Sequence, residues 1–152
     1  MTSNLQKLNA FIMIKVPAAW LCGVRNKEIN QNGGKVGVKH RWINQNPFNS
    51  MYFAVQAMAA ELSTGALVMQ AVKNSGRSVS MLVKSNNSNF SKKATGKLIF
   101  ECADAGKIKE AIDGAVETAE GKTFWLNSTG TNEAGEVVST FNFEWTIRLK
   151  EY

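Results

Sequence analysis

Glu61 is the only charged residue between Met51 and Val72, in a stretch otherwise made of alanine, aliphatic, aromatic and neutral polar side chains. A carboxylate in such surroundings is costly unless it is paired, solvated or neutralised. It therefore either opens onto a cleft or pairs with a buried cation, for which Arg41 and Arg148 are the candidates. Facing a cleft and partly desolvated, its pKa rises, which suits a general base near neutral pH. A carboxylate can also attack a carbonyl directly.

Other reactive groups are sparse. His40 is the sole histidine, so a Ser-His-Asp triad could rest only on it, and its place among Val38 and Trp42 reads as a strand histidine. Cys22 and Cys102, 80 residues apart, lack metal-ligand spacing and are expected to be unpaired, partly buried thiols. No phosphate-cradling glycine loop, zinc cluster or dinucleotide fingerprint is present, so neither metal nor cofactor is expected. The net charge of +6 favours anionic partners: nucleic acid, an anionic membrane surface or a phosphorylated small molecule. Its densest points are Lys92–Lys93 and the run from Lys39 to Arg41. There is no basic helix and no aromatic-and-basic sheet motif, which speaks against nucleic acid.

These residues must be held by a scaffold. A length of 152 residues with 44% hydrophobic side chains is one domain with a real core. Residues 1–152 are read as a single domain, with 1–34 an N-terminal helical segment and connection and 35–152 the core. A first helix from Asn4 to Leu21 is predicted to bend at Pro17, and Gly23 to Gly34 reads as a connection. Lys35 to Ile43 has strand character. Asn46-Pro47 offers an N-cap and first helical position, and Asn74-Ser75-Gly76 a stop. The helix between them is apolar on every face and must be enclosed. It is too polar for a lipid span, with Gln56, Glu61, Ser63, Thr64 and Gln70, so a soluble, cytoplasmic protein with no membrane partner is expected.

Strands are predicted for Ser78 to Ser85 and Lys97 to Cys102, then a helix from Ala105 to Ala119. Thr123 to Thr129 and Val137 to Lys150 form a hairpin turned by Gly130 to Gly135. In the last strand Phe141, Phe143, Trp145, Ile147 and Leu149 share one face. An enclosed helix and a mainly antiparallel sheet with one apolar face give an α+β domain in which a curved sheet wraps one long central helix, with an extra N-terminal helix.

With this order of elements, Glu61-Leu-Ser-Thr-Gly65 and Asn89-Phe-Ser-Lys-Lys-Ala-Thr-Gly96 make Lys35 to Lys150 resemble the hot-dog thioesterase superfamily, especially its phenylacetyl-CoA thioesterase-like branch. That resemblance implies a hot-dog fold and hydrolysis of an acyl-CoA thioester, with Glu61 as general base or nucleophile. It also implies that a backbone N–H near the helix N-terminus polarises the thioester carbonyl. The family often writes that region as His-Gly-Gly; here Tyr52-Phe53-Ala54 stands there, which places the N–H at Ala54. An Asn precedes the acid by 15 residues in that branch; Asn46 matches, with Asn49 a competitor and a capping role the plainer reading of Asn46. Ser78 or Ser80 could stand in for a strand hydroxyl. Tyr52, Phe53 and Met58 would line an acyl tunnel or simply pack in the core, and Lys92 and Lys93 would meet coenzyme A phosphates or solvent. Coenzyme A enters as substrate, not cofactor. The resemblance further implies a homodimer or homotetramer with Glu61 facing a partner chain, across the strand from Val79 to Phe90. The alternative is a non-catalytic hot-dog protein that binds an acyl-CoA or lipid-like ligand, which the missing double glycine favours.

Overall fold

The computed structural model describes residues 3–150. Ser3 and Gln6 exchange side-chain and backbone hydrogen bonds at the start of helix α1 (Asn4–Lys15). This reciprocal capping satisfies two otherwise orphaned N–H groups. Helix α2 (Pro17–Leu21) follows after Val16, with Pro17 at its first position. The bend expected at Pro17 is therefore a break between two helices, since proline has no N–H to continue the first.

Strand β1 (Arg25–Ile29) comes next, where the sequence reads as a connection. Its Arg-Asn-Lys-Glu-Ile composition carries little strand preference. It is held by β2 (Gly34–Lys39), antiparallel to it, and by α1. The Asn9 amide donates to the Asn26 carbonyl at 3.0 Å and its oxygen accepts the Asn26 N–H at 2.8 Å, so a side chain imitates a neighbouring strand. The sheet thus begins at Arg25 rather than at Lys35. β2 stops at Lys39, and Trp42–Asn44 form a 3-10 turn that leaves Trp42 82% exposed. The turn is anchored by buried Asn44, which accepts the Arg41 N–H and donates to the carbonyls of Cys22 and Lys39.

The long helix α3 (Phe53–Ser75) starts later than Asn46-Pro47 suggests. Asn46 closes its own loop instead. Its Oδ1 accepts from Phe48 and Ser50 N–H and its Nδ2 donates to Ser50 Oγ and the Met51 carbonyl, while Asn49 takes a left-handed φ of 59°. An Asn side chain that turns the chain locally in this way competes with capping a helix. The stop is as expected, with Gly76 left-handed at φ 67°.

Strand β3 (Val79–Phe90) runs five residues beyond Ser85, through Asn86-Asn87-Ser88-Asn89. These poor strand formers are carried by continuous pairing with β6 (Val137–Leu149). β4 (Lys97–Cys102) and helix α4 (Ala105–Thr118) fall where the pattern puts them, while β5 (Lys122–Thr131) runs on through Gly130, which pairs with Ser139 rather than joining the turn. The six strands form one antiparallel sheet in the order β1-β2-β4-β5-β6-β3. Its apolar face, with Val36, Val38, Leu98, Phe100, Leu126, Phe141, Phe143, Trp145 and Ile147 all buried, curls around α3. This is the α+β arrangement expected from the sequence. Among the described residues no helix is long and apolar enough to cross a membrane.

Replacing Asn44 by alanine strips partners from three partly buried backbone groups. Water can reach these groups in part, so each lost bond costs about 0.5–1.5 kcal/mol. Asn44→Ala should therefore lower the urea midpoint without changing the denaturant slope; an unaltered midpoint would show that the turn is not anchored by this side chain.

Candidate functional site

α3 is pinned in place by three buried polar contacts. Ser63 Oγ and Ser128 Oγ of β5 lie 2.7 Å apart, Ser139 Oγ of β6 donates to Gln56 Oε1 at 2.8 Å, and Trp145 Nε1 donates to Thr64 Oγ1 at 3.0 Å. Such pairs fix the rotation of an all-apolar helix, because turning it would strand each polar group away from water. With the rotation set, Ala54, Ala57, Met58 and Glu61 share a stripe at helical spacing, and all four are only half-buried. The flanking positions Val55, Gln56, Ala59, Ala60, Leu62 and Ser63 are buried. Between Val55 and Val68, Glu61 therefore lies on the one face of α3 that is left incompletely covered.

A Cβ added at Gly65 would stand 3.1 Å from Glu61 Oε1 and 3.3 Å from the Trp145 ring. The carboxylate thus folds over Gly65 beside the indole, and a larger residue one turn on would displace it. This is a physical reason for glycine four positions after the acid. Among the described residues no ion pair or hydrogen bond reaches the Glu61 carboxylate. Arg41 lies instead over Gly23, and Arg148 is exposed on the outer side of β6. The buried ion pair considered from the sequence is not formed. Burial pushes the Glu61 carboxyl above its ordinary value.

At the N-terminus of α3 an open cleft of about 620 Å³ gathers Asn46, Tyr52, Phe53, Lys92 and Lys93. The helix has no side-chain cap and no acidic residue in its first turn. Val55 N–H bonds back to the Tyr52 carbonyl, and the Phe53 and Ala54 N–H groups have no partner among the described residues. Such free donors at the positive end of a helix dipole favour an oxygen carrying negative charge. Lys92 is paired with Glu136 and Lys93 donates to the Phe48 carbonyl at 3.1 Å, so both lysines are tethered at the rim. Tyr52 meets Phe53 edge-on at 5.2 Å, Phe53 meets Phe90 at 6.2 Å, and Phe90 meets Phe141 at 5.6 Å. This aromatic series runs from the cleft into the core.

Ser80 does not join the others. It is exposed near the start of β3, whereas Phe90 at the end of that strand lines the cleft, a separation of roughly 33 Å at strand rise. Its hydroxyl donates to the Arg148 carbonyl at 3.3 Å. His40 lies beyond the end of β2, its N–H bonded to the Gly96 carbonyl. Burial pushes the Cys102 thiol up to about 11, which leaves it protonated at neutral pH and no nucleophile. Sequence reasoning missed Gln56, which is 4% exposed yet lines the cleft, and Trp145 as the wall beside Glu61. The available signal for Gln56 was the same as for Glu61: a polar residue in an apolar helix.

A family model described as "Domain of unknown function (DUF4442)" matches residues 5–147. No curated protein matches the chain. Among solved structures, a Pseudomonas aeruginosa protein described as of unknown function and a "probable thioesterase" is 24% identical, with a TM-score of 0.85 over 99% of both chains. A Chlorobaculum tepidum protein of unknown function is 14% identical, with a TM-score of 0.83 over 95% of this chain and 94% of its own. A Haemophilus influenzae thioesterase is 12% identical, with a TM-score of 0.74 over 100% of this chain and 96% of its own. These likenesses establish the fold: the curved sheet around α3 is the hot-dog fold.

The raised Glu61 pKa carries a signed consequence for stability. A carboxyl that holds its proton more tightly when folded loses stability as pH climbs from its unfolded value through its folded one. Glu61→Gln cannot ionise, so it should match the wild-type melting temperature in acid and exceed it at pH 8. A variant less stable than wild type at pH 8 would mean that the carboxylate has a favourable partner.

Proposed function

The chain belongs to the DUF4442 family, and on that premise we propose that it is an acyl-CoA thioesterase whose reaction centres on Glu61. The observation that carries this reading is the unpaired, desolvated Glu61 carboxylate on the open stripe of the central helix. A structural carboxylate in that position would be expected to have a cation partner, since an isolated buried charge costs stability without return. In hydrolysis, a carbon–oxygen bond forms to the thioester carbonyl and the carbon–sulfur bond breaks, giving a carboxylic acid and a thiol. Glu61 serves this either by taking the proton of the attacking water or by attacking first and being released by water. The free Phe53 and Ala54 N–H groups suit the negative charge that develops on the carbonyl oxygen. Alanine in place of a glycine narrows the approach to that backbone without removing its N–H.

Ala54 and Glu61 are about 10 Å apart along the helix by rise, more than one water spans. The reading therefore takes the site to be shared between two copies, with the carboxylate of one facing the helix start or the β3 strand of the other. β3 supports this: it is a sheet edge twelve residues long, with Leu82 and Phe90 exposed. Long unpaired edges of this kind invite a partner strand.

The test is thiol release from short, medium, long and aromatic acyl-CoAs by wild type and Glu61→Gln. Turnover should fall roughly 100-fold or more in the folded variant, the usual scale for losing a general base. Wild-type kcat/KM should rise with pH through a value above the ordinary glutamate range, because the base works ionised. If wild type releases no thiol from any substrate while an acyl-CoA still raises its melting temperature, the protein is a binding protein instead. Light scattering should show a species larger than one chain, and a stable monomer would sink the shared site.

A further inference from the structure

A second cleft, of about 330 Å³, opens on the outer side of β1, β2 and β4, and is lined by Arg25, Lys27, Lys39, Arg41 and Lys97. Its lining contains five cations and no carboxylate. Among the described residues none of the five has an ion-pair partner; the pairs present join Lys35 to Glu28, Lys92 to Glu136 and Lys107 to Asp104. Glu133 is the carboxylate beside Lys97, and it accepts the Lys97 backbone N–H at 3.1 Å.

The cations are held, not scattered. The Arg25 guanidinium lies 3.3 Å over the Trp20 ring and donates to the carbonyls of Trp20 and Val24 at 2.8 Å each. Lys27 crosses β2 at Gly37, where a Cβ would come within 2.7 Å of its Cε. Arg41 lies over Gly23, at φ 89°, where a Cβ would come within 2.5 Å of its Nη2. Lys39 and Lys97 are register partners on β2 and β4. Burial first, and the charge of Arg41 second, hold Arg25 below its ordinary value. Like charges kept this close, with two glycines making room for them, are best relieved by a compact, multiply charged anion.

We propose that this cleft binds the phosphates at the nucleotide end of a coenzyme A thioester whose acyl end lies at the start of α3. The proposal rests on the thioesterase reading for its substrate, and continuity of the surface supports it. Ala94 lines the first cleft and Lys97 the second, three residues and at most about 10 Å apart. The Gly96 carbonyl accepts the His40 N–H between them. A confined cleft suits clustered phosphates better than the extended face of an acidic protein, which would meet its cations spread over a broad surface.

Adenosine 3′,5′-bisphosphate is the probe. Calorimetric titration should show it binding wild type, with Kd weakened roughly tenfold or more in Arg41→Ala/Lys97→Ala, a variant whose circular dichroism should be unchanged. Lys39→Ala/Lys97→Ala is the substitute if the first pair fails to fold. In turnover, the variant should raise KM for an acyl-CoA at unchanged kcat and leave the matching acyl-N-acetylcysteamine, which lacks the nucleotide, unaffected. Bisphosphate binding that depends on these residues in a protein that hydrolyses no thioester keeps the phosphate site and removes the catalytic reading. Unchanged Kd in both variants overturns the proposal, as does a KM rise shared by the truncated thioester. A loss confined to an acyl-carrier-protein thioester or to an RNA oligonucleotide overturns it in favour of that partner.

Discussion

The enclosure of α3 governs this structure. A helix of 23 residues that is apolar on nearly every face has no stable state in water except inside other structure. The sheet curls around it for that reason, and between Val55 and Val68 the helix is then buried except along one stripe. That stripe is still partly shielded from water, and the single acidic residue of the helix lies there with its carboxyl pushed up by burial. Hydrophobic burial and a carboxylate with a raised pKa are therefore two results of one constraint. The same enclosure demands that each fully buried polar side chain on α3 find a partner, as Gln56, Ser63 and Thr64 do. Those partners in turn decide which stripe is left open.

The central helix, the last four elements and the wrapped-sheet architecture were legible in the sequence because periodicity reports burial directly. The alternation of Phe141, Phe143, Trp145 and Ile147 could belong only to a strand with one buried face, and all four are buried. Glu61 stood out as a charge where no charge is cheap. What escaped was structure held by partners rather than by propensity. β1 is polar and short and exists because β2 and Asn9 satisfy its backbone. The Asn-rich half of β3 is extended because β6 runs beside it. Asn46 read as a helix cap because Asn-Pro is ambiguous, and only the loop's closure on Ser50 and Met51 decides the matter.

The candidate site was legible unevenly for the same reason. Tyr52, Phe53, Lys92 and Lys93 are neighbours because two loops converge at the start of α3, an event that local spacing does not encode. The distance of Ser80 from the cleft was not visible because the true length of β3 was not either. The five-cation cleft draws from three separate stretches of chain, and only Lys39 to Arg41 was visible as a basic run. Glycines 23 and 37, which admit two of its side chains, carry no such message in a sequence read alone.

The clamp of Asn9 on Asn26 has a consequence for how copies of this chain can join. A sheet with two open edges can add strands at both, and head-to-tail addition of that kind has no end. Here the two edges are unequal. β1 is five residues long, its register slips between Asn26 and Glu28, and a side chain already occupies the backbone groups of Asn26 that would face a newcomer. β3 is long and unoccupied on its outer side. Of the two edges, β3 is therefore the one that offers another strand a long run of backbone groups. The asparagine acts as a stopper at the edge where head-to-tail addition would continue.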